Sequence, residues 1–305
     1  MKWTKRGLIY RPAPDASGWA HNSASQPTPI ILRPGVIRVY VGFRDVRGAT
    51  RIGYVDVDAD NPSNVISISK SPVLDVGRAG AFDDNGVILG DVVVHDGCLR
   101  MYYVGFQQVA KVKFLAFTGL AISTDGGESF IRQTEAPILD RSDEGLYIRA
   151  IHSIRFENGR WRVWYAAGNS WEMIGGKPFP NYHVRYLESM DGIHFPSRGS
   201  VCIELEGPEY RIGRPRVYRT GSDYEMYYTK GTIRGDYLPG YARSSDGITW
   251  RRMDNQIGLT PSPEGWDSRA LCYLSLILSG DKIFGFYNGN NFGVDGFGYA
   301  VLDKP

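Results

Sequence analysis

Leu99-Arg100-Met101-Tyr102-Tyr103-Val104-Gly105 decides the architecture, because the chain writes it again. It returns as Trp161-Arg162-Val163-Trp164-Tyr165-Ala166-Ala167-Gly168, as Tyr224-Glu225-Met226-Tyr227-Tyr228-Thr229-Lys230-Gly231, and as Ile283-Phe284-Gly285-Phe286-Tyr287-Asn288-Gly289. A fainter copy is Val36-Ile37-Arg38-Val39-Tyr40-Val41-Gly42-Phe43. Tyr40, Tyr103, Tyr165, Tyr228 and Tyr287 recur at intervals of roughly 60 residues, and a fixed period near that range marks a solenoid or propeller. The repeat predicts one all-β domain over residues 1–305, a five-bladed β-propeller with four-stranded antiparallel blades around a central axis.

Aligning the copies predicts blade cores near 26–80, 86–143, 148–207, 212–262 and 270–303. The segment from Gly7 to Pro12 is apolar enough for a short strand. It is expected to complete the last blade, whose sequence after Asn290 is too short for four strands, and so to close the ring. No long window carries the i, i+3, i+4, i+7 apolar pattern of a helix.

Three repeats carry a second phrase: Ser123-Thr124-Asp125-Gly126-Gly127-Glu128-Ser129-Phe130, Ser189-Met190-Asp191-Gly192-Ile193-His194-Phe195 and Ser244-Ser245-Asp246-Gly247-Ile248-Thr249-Trp250. Asp-Gly between alternating segments is a hairpin signal, because Gly accepts positive φ and Asp bonds its own backbone. These aspartates are read as structural, holding the outer hairpins of blades 2 to 4.

Apolar content of 42% with 13% aromatics supports a sizeable core of half-buried sheet faces. A net charge of +2 gives no electrostatic case for nucleic acid or an anionic membrane as partner. There is no apolar run of about 18 residues to span a bilayer, and no signal-peptide core precedes Pro12. The expected location is the cytoplasm; the oligomeric state is left open. Cys98, Cys202 and Cys272 are odd in number and far apart, which suits small buried hydrophobes. No metal or other cofactor is implied: Asp56-Val57-Asp58-Ala59-Asp60 lacks calcium-loop spacing and reads as a solvent-facing edge.

Where each blade enters at the axis, the frame varies: Trp19-Ala20-His21, Phe82-Asp83-Asp84, Glu144-Gly145-Leu146, Pro208-Glu209 and Trp266-Asp267-Ser268. Variation within a repeated frame is how a grafted site reads. Asp83, Asp84, Glu144, Glu209 and Asp267 are expected to converge on one funnel, where mutual repulsion raises at least one carboxyl pKa. Asp83 and Asp267 read equally as turn caps, and Glu144 as part of a solvated loop. Arg149 and His152 open the inner strand of blade 3; Arg211, Arg214 and Arg216 open that of blade 4. Such arginines hold an oxyanion or pair with the acids. Gln26, His21, Arg44, Asp45, Lys230, Tyr273 and Asn288 complete the candidate wall. Trp171, Tyr182 and His183 belong to a Gly/Pro-rich insertion of blade 3 around Asn169–Asn181 that is expected to overhang the mouth. Ring faces suit the C–H faces of a sugar, and the polar groups its hydroxyls. The expected partner is therefore a small saccharide or glycoconjugate.

The blade pattern resembles the five-bladed propeller glycoside hydrolase superfamily, with its families 43, 32/68 and 130. The Ser-x-Asp-x-Gly form at 123–130 also resembles the sialidase Asp-box, a structural turn. The superfamily resemblance implies an enzyme cleaving or transferring a glycosidic bond, with a carboxylate acid and base held ~6.5–9.5 Å apart if it inverts. On that basis Glu209 is the expected proton donor, Asp84 the base or water-positioning carboxylate, and Glu144 or Asp83 the group tuning pKa. The chain departs from family 43 at blade 1, where Gln26-Pro27 stands in place of the aspartate before proline. That departure leaves open a phosphorylase using Arg149, His152 and Arg214. It also leaves open a non-catalytic glycan or nucleotide-sugar binder, or a biosynthetic transferase, lyase or cyclase.

Overall fold

The computed structural model describes residues 1–13, 18–235 and 237–303. It contains twenty strands and three short 3-10 turns. After β1 (Trp3–Tyr10) the chain lays down antiparallel meanders of four strands. The first is β2 (Asn22–Arg33), β3 (Val36–Arg44), β4 (Thr50–Asp58) and β5 (Val65–Ile68). The second is β6 (Val87–His95), β7 (Cys98–Gln107), β8 (Leu115–Ser123) and β9 (Ile131–Arg132). The third is β10 (Ile148–Glu157), β11 (Arg160–Ile174), β12 (Lys177–Ser189) and β13 (Ser200–Ile203). The fourth is β14 (Glu209–Thr220), β15 (Asp223–Thr232), β16 (Tyr237–Ser244) and β17 (Arg251–Arg252). The last three strands, β18 (Cys272–Ser279), β19 (Lys282–Asn288) and β20 (Phe297–Leu302), take β1 as their fourth, from Trp3 opposite Leu302 to Tyr10 opposite Phe297.

First strands meet one another in a closed circuit: β2 touches β6, β6 touches β10, β10 touches β14, β14 touches β18, and β18 touches β2. Two short parallel pairings, Ile148 with Ala116 and Tyr182 with Arg211, tie neighbouring meanders at the same end. The core lies between sheets rather than at the centre. One cluster joins Tyr40 to Val87 and Tyr103; another joins Val39 and Phe43 to Phe286, Phe297 and Tyr299. The repeat tyrosines sit on the second strands and are buried. No helix among the described residues is long and apolar enough to cross a membrane.

The Asp-Gly turns join the outer strands as expected, and they also latch adjacent sheets. Asp125 accepts from the hydroxyls of Ser123 and Ser129, each at 2.6 Å, and from two backbone amides. The turn's glycine carbonyl then receives an aromatic donor from the preceding sheet. Tyr40 donates to Gly127 at 3.0 Å, Tyr102 to Gly192 at 3.1 Å, and Trp164 to Gly247 at 2.8 Å. Only glycine fits at Gly127: its φ is +85°, and a Cβ there would lie 2.1 Å from the Tyr40 hydroxyl.

Three expectations need correction. Asp56 is not at a solvent-facing edge but 1% exposed, gripped by Arg38 through Nε at 2.8 Å and Nη2 at 2.9 Å, so the buried charge is neutralised. The insertion near Asn169–Asn181 is no loop; β11 and β12 run on as paired strands to Ile174 opposite Lys177. Cys98 is half-buried, unlike Cys202 and Cys272.

Ring closure has its own buried polar clasp. The Asn288 carbonyl oxygen accepts from the Gln26 amide at 2.7 Å, and its NH₂ donates to Ala24 and Gly296 carbonyls, each at 2.8 Å. Asn288→Ala strands those groups without water, and urea denaturation should register a loss on the order of 2–3 kcal/mol. Gly127→Ala should cost about as much through strain and overlap, again with no change at the axis. A stability unchanged by either substitution would contradict the clasp and the latch respectively.

Candidate functional site

Each first strand is interrupted by a register shift, between Ser25 and Thr28, Leu89 and Asp91, Ile151 and Ser153, Gly213 and Arg216, and Cys272 and Ser275. Bulges re-aim side chains and sharpen twist. Here they put Gln26, Gly90, His152, Arg214 and Tyr273 at matching points of five strands. Gln26, Arg214 and Tyr273 adopt left-handed backbone, with φ of 57°, 54° and 62°. For such residues this conformation costs on the order of 1–2 kcal/mol each. Four of the five, all but Gly90, line a cavity of about 510 Å³.

Beside aliphatic Ile88, Val104, Ile148, Ala150 and Pro180, its wall carries three kinds of chemical group. Rings come from Phe106, Phe114, Phe179, Tyr182, Tyr237 and Phe292; neutral polar groups from Ser25, Thr50, Asn85 and Gln108; cations from Arg44, Lys113 and Arg211. No aspartate or glutamate is among the described lining residues. Backbone supplies much of the shaping: a Cβ on Gly213 would come within 2.6 Å of the Tyr182 ring, and one on Gly231 within 2.8 Å of Arg211 Nε.

Arg214 is the cavity's internal brace. It crosses from β14 to donate to the Leu89 carbonyl, to the Gly90 carbonyl at 3.0 Å, and to Thr28 Oγ1 at 2.7 Å. Burial, with Arg216 beside it, pulls its pKa down to about 9, so it stays charged at neutral pH. Arg216 is held by Asp91 at 2.6 Å and by the His152 carbonyl at 2.9 Å. His152, buried between these two guanidiniums, has its pKa driven well below the ordinary value, first by burial and then by Arg214 and Arg216.

The candidate carboxylates do not converge on this space. Asp83 is fully buried and paired with Arg132 at 2.7 Å. Asp84 accepts from the Gly80 amide at 2.9 Å, and its Oδ1 is buried without a partner. Glu144 is enclosed by Arg149 at 3.1 Å, Arg185 at 3.0 Å, the Gly199 amide at 2.8 Å and the Tyr165 hydroxyl. Glu209 is clamped by both Arg252 Nη atoms at 2.9 and 2.7 Å, with Lys230 at 3.7 Å. Burial raises the Glu209 pKa, but the Arg252 hydrogen bond and the Glu206 amide outweigh it and hold the carboxyl below its ordinary value. A proton donor at neutral pH needs the opposite shift. Asp267 is bound by Lys5 at 2.7 Å and the Tyr287 hydroxyl at 3.1 Å.

Gln26, Arg44, His152, Tyr182, Arg211, Arg214 and Tyr273 are thus the residues named from the sequence that line the cavity. The others have duties elsewhere. Asp45 caps a turn and binds Arg51 at 2.7 Å; Lys230 binds Asp254 at 2.6 Å; Arg149 is spent on Glu144 and on the Asp140 and Pro196 carbonyls. Trp171 stands behind the wall against Phe114 and Tyr147, His21 is half-buried off the lining, and Asn288 forms the clasp. Lys113, Phe114, Tyr237 and Phe292 were not singled out, since they lie outside the repeated inner-strand frame. Among the described residues no group of three or more His, Cys, Asp or Glu is placed to hold a metal ion.

His152 makes stability pH-dependent. Its folded pKa is depressed, so the unfolded chain binds the extra proton. The neutral folded form is fully favoured above the unfolded value of about 6.5 and loses that advantage as pH falls below it, at up to about 1.4 kcal/mol per pH unit. His183, depressed by burial and by Arg185, acts in the same direction. Denaturation midpoints of wild type and His152→Gln between pH 7.5 and 5 should show the shallower slope in the variant; equal slopes would remove His152 from the account.

No protein-family model matches the chain. The uncharacterized protein Rv1502 of Mycobacterium tuberculosis (strain ATCC 25618 / H37Rv) is 30% identical over 306 residues, covering 100% of both chains. A glycosyl hydrolase structure from Bacteroides ovatus superposes with a TM-score of 0.74 at 14% identity, over 99% of this chain and 93% of that one. A thermostable family-43 glycoside hydrolase gives 0.68 at 15% identity, over 93% and 89%. These structural likenesses show that the fold is shared with glycoside hydrolase structures. The full-length match establishes kinship: this chain belongs to the family of Rv1502.

Proposed function

We propose that the chain is a single five-bladed β-propeller whose axial cavity binds a saccharide or glycoconjugate. The closed circuit of five first strands supports the blade count. One observation carries the functional reading: one cavity is lined by aromatic rings together with amide, hydroxyl and guanidinium groups, and no described carboxylate lines it. Rings take the C–H faces of a sugar and the polar groups its hydroxyls. Binding without acid–base hydrolysis fits this wall best, because a water-activating base and a leaving-group acid must both reach the substrate.

A second reading, glycoside cleavage, is supported by the fold shared with glycoside hydrolases. It requires Glu209, Asp84, Glu144 or Asp83 to leave its present partners and enter the cavity.

Calorimetric titration against a panel of mono- and oligosaccharides should find binding, while the same panel, with and without phosphate, yields no released product. Tyr182→Ala should weaken the best ligand by roughly 3–10-fold through lost ring contact. Product release with a two-limbed pH profile, abolished by Glu209→Gln, would replace the binding reading with the cleaving one.

A further inference from the structure

Buried arginines near the axis are otherwise spoken for. Arg38 has Asp56, Arg149 has Glu144, Arg216 has Asp91, and Arg214 is spread over carbonyls and a hydroxyl. Arg211 breaks the pattern. Its guanidinium carbon stands 4.5 Å from the Tyr237 ring centroid, 4.9 Å from that of Tyr210 and 5.8 Å from that of Phe292. Among the described residues no carboxylate or carbonyl accepts from it, and its Nε is buried without a partner. The ring faces supply some cation–π attraction but leave the in-plane N–H groups unused. Lys113, 4.5 Å above Phe179, and Arg44 share the same cavity, also without an ion pair among the described residues. An enclosed wall with cations and no acid carries an uncompensated positive field, which an incoming anion would relieve.

A second orphan lies across the space. Gln26 Oε1 is buried with no donor, on a side chain held in left-handed backbone. It is an acceptor awaiting a hydroxyl or N–H. A ligand meeting both needs has a negative oxygen pair at one end and hydroxyls at the other.

We propose that the occupant is an acidic saccharide, its phosphate or carboxylate oxygens held by the Arg211 fork with Lys113 at the rim, and a hydroxyl donating to Gln26. This rests on the reading that the cavity binds saccharides. Phosphate and carboxylate present the same oxygen pair to a guanidinium, so the experiment separates them.

Wild-type protein is titrated with glucose, glucuronate, glucose 1-phosphate and inorganic phosphate at low salt, and again at 0.5 M NaCl. At least one acidic sugar should bind 10-fold or more tighter than glucose, with the preference shrinking in salt. Which acidic sugar wins identifies the oxyanion, and phosphate alone should bind more weakly than the sugar phosphate. Arg211→Met should erase the preference for the acidic sugar over glucose, and Arg211→Lys should restore part of it. Lys113→Met, an exposed position that cannot disturb the core, should lower acidic-sugar affinity 3-fold or more. If wild type binds acidic and neutral sugars alike, or if Arg211→Met and Lys113→Met, both folded by thermal melt, keep the preference, the acidic-ligand inference is overturned and the saccharide reading stands. If none of the sugars, nor a wider glycan panel, binds at all, the saccharide reading falls and takes the inference with it.

Discussion

Everything at the axis depends on the ends of the described chain meeting in one sheet. Pairing of β1 with β20 leaves the last meander with four strands, and the Asn288 clasp fastens it to the first. The constraint is geometric. Cavity residues come from all five first strands, β2, β6, β10, β14 and β18, and from β3, β4, β7, β12, β16 and the loops beside them, and none of these strands could hold its neighbours' side chains in place alone. Once the circuit closes, Arg214 can reach the Leu89 and Gly90 carbonyls and Thr28 at once, so one side chain measures the distance across the centre.

Electrostatics then divides the molecule into two regimes. Away from the cavity, charge is matched locally. Glu144 takes two arginines, an amide and a phenol, and Glu209 takes a bidentate arginine with a lysine near it. Such saturation makes these acids part of the scaffold, because moving Glu144 would leave the buried Arg149 guanidinium without its carboxylate, and moving Glu209 would break the bidentate pair with Arg252. Inside the cavity the matching stops, and two donors and an acceptor, Arg211 Nε, Arg214 Nε and Gln26 Oε1, remain unanswered. Buried polar groups in folded proteins are rarely left so.

The sequence disclosed the parts of this arrangement that repeat. Tyrosines at one period, Asp-Gly turns and a short N-terminal strand each follow from local chemistry, and each has its place in the structure. Long-range pairing was not legible. Nothing near Glu209 announces Arg252, and nothing near Asp56 reveals that its alternating acids begin with one turned inward to Arg38. The axial positions were half legible. Gln26, His152, Arg214 and Tyr273 are all among the candidate residues read from the sequence, but the bulges that align them with Gly90 keep geometry rather than residue type. Acidic residues at the blade entries attracted attention because carboxylates are versatile; their arginine partners, drawn from other strands, determine their actual use.

The terminal pairing also sets a schedule for biosynthesis. Thr4 bonds Asp303 across 299 positions of sequence, so β1 waits until β20 has been made. Through that interval the flank of the first sheet, with Val39, Val41 and Phe43, has no cover from Phe286, Phe297 and Tyr299. A nascent chain therefore carries an apolar face and an unpaired strand edge until β20 has been made, the combination that invites chaperones and, at high synthesis rates, association between unfinished copies.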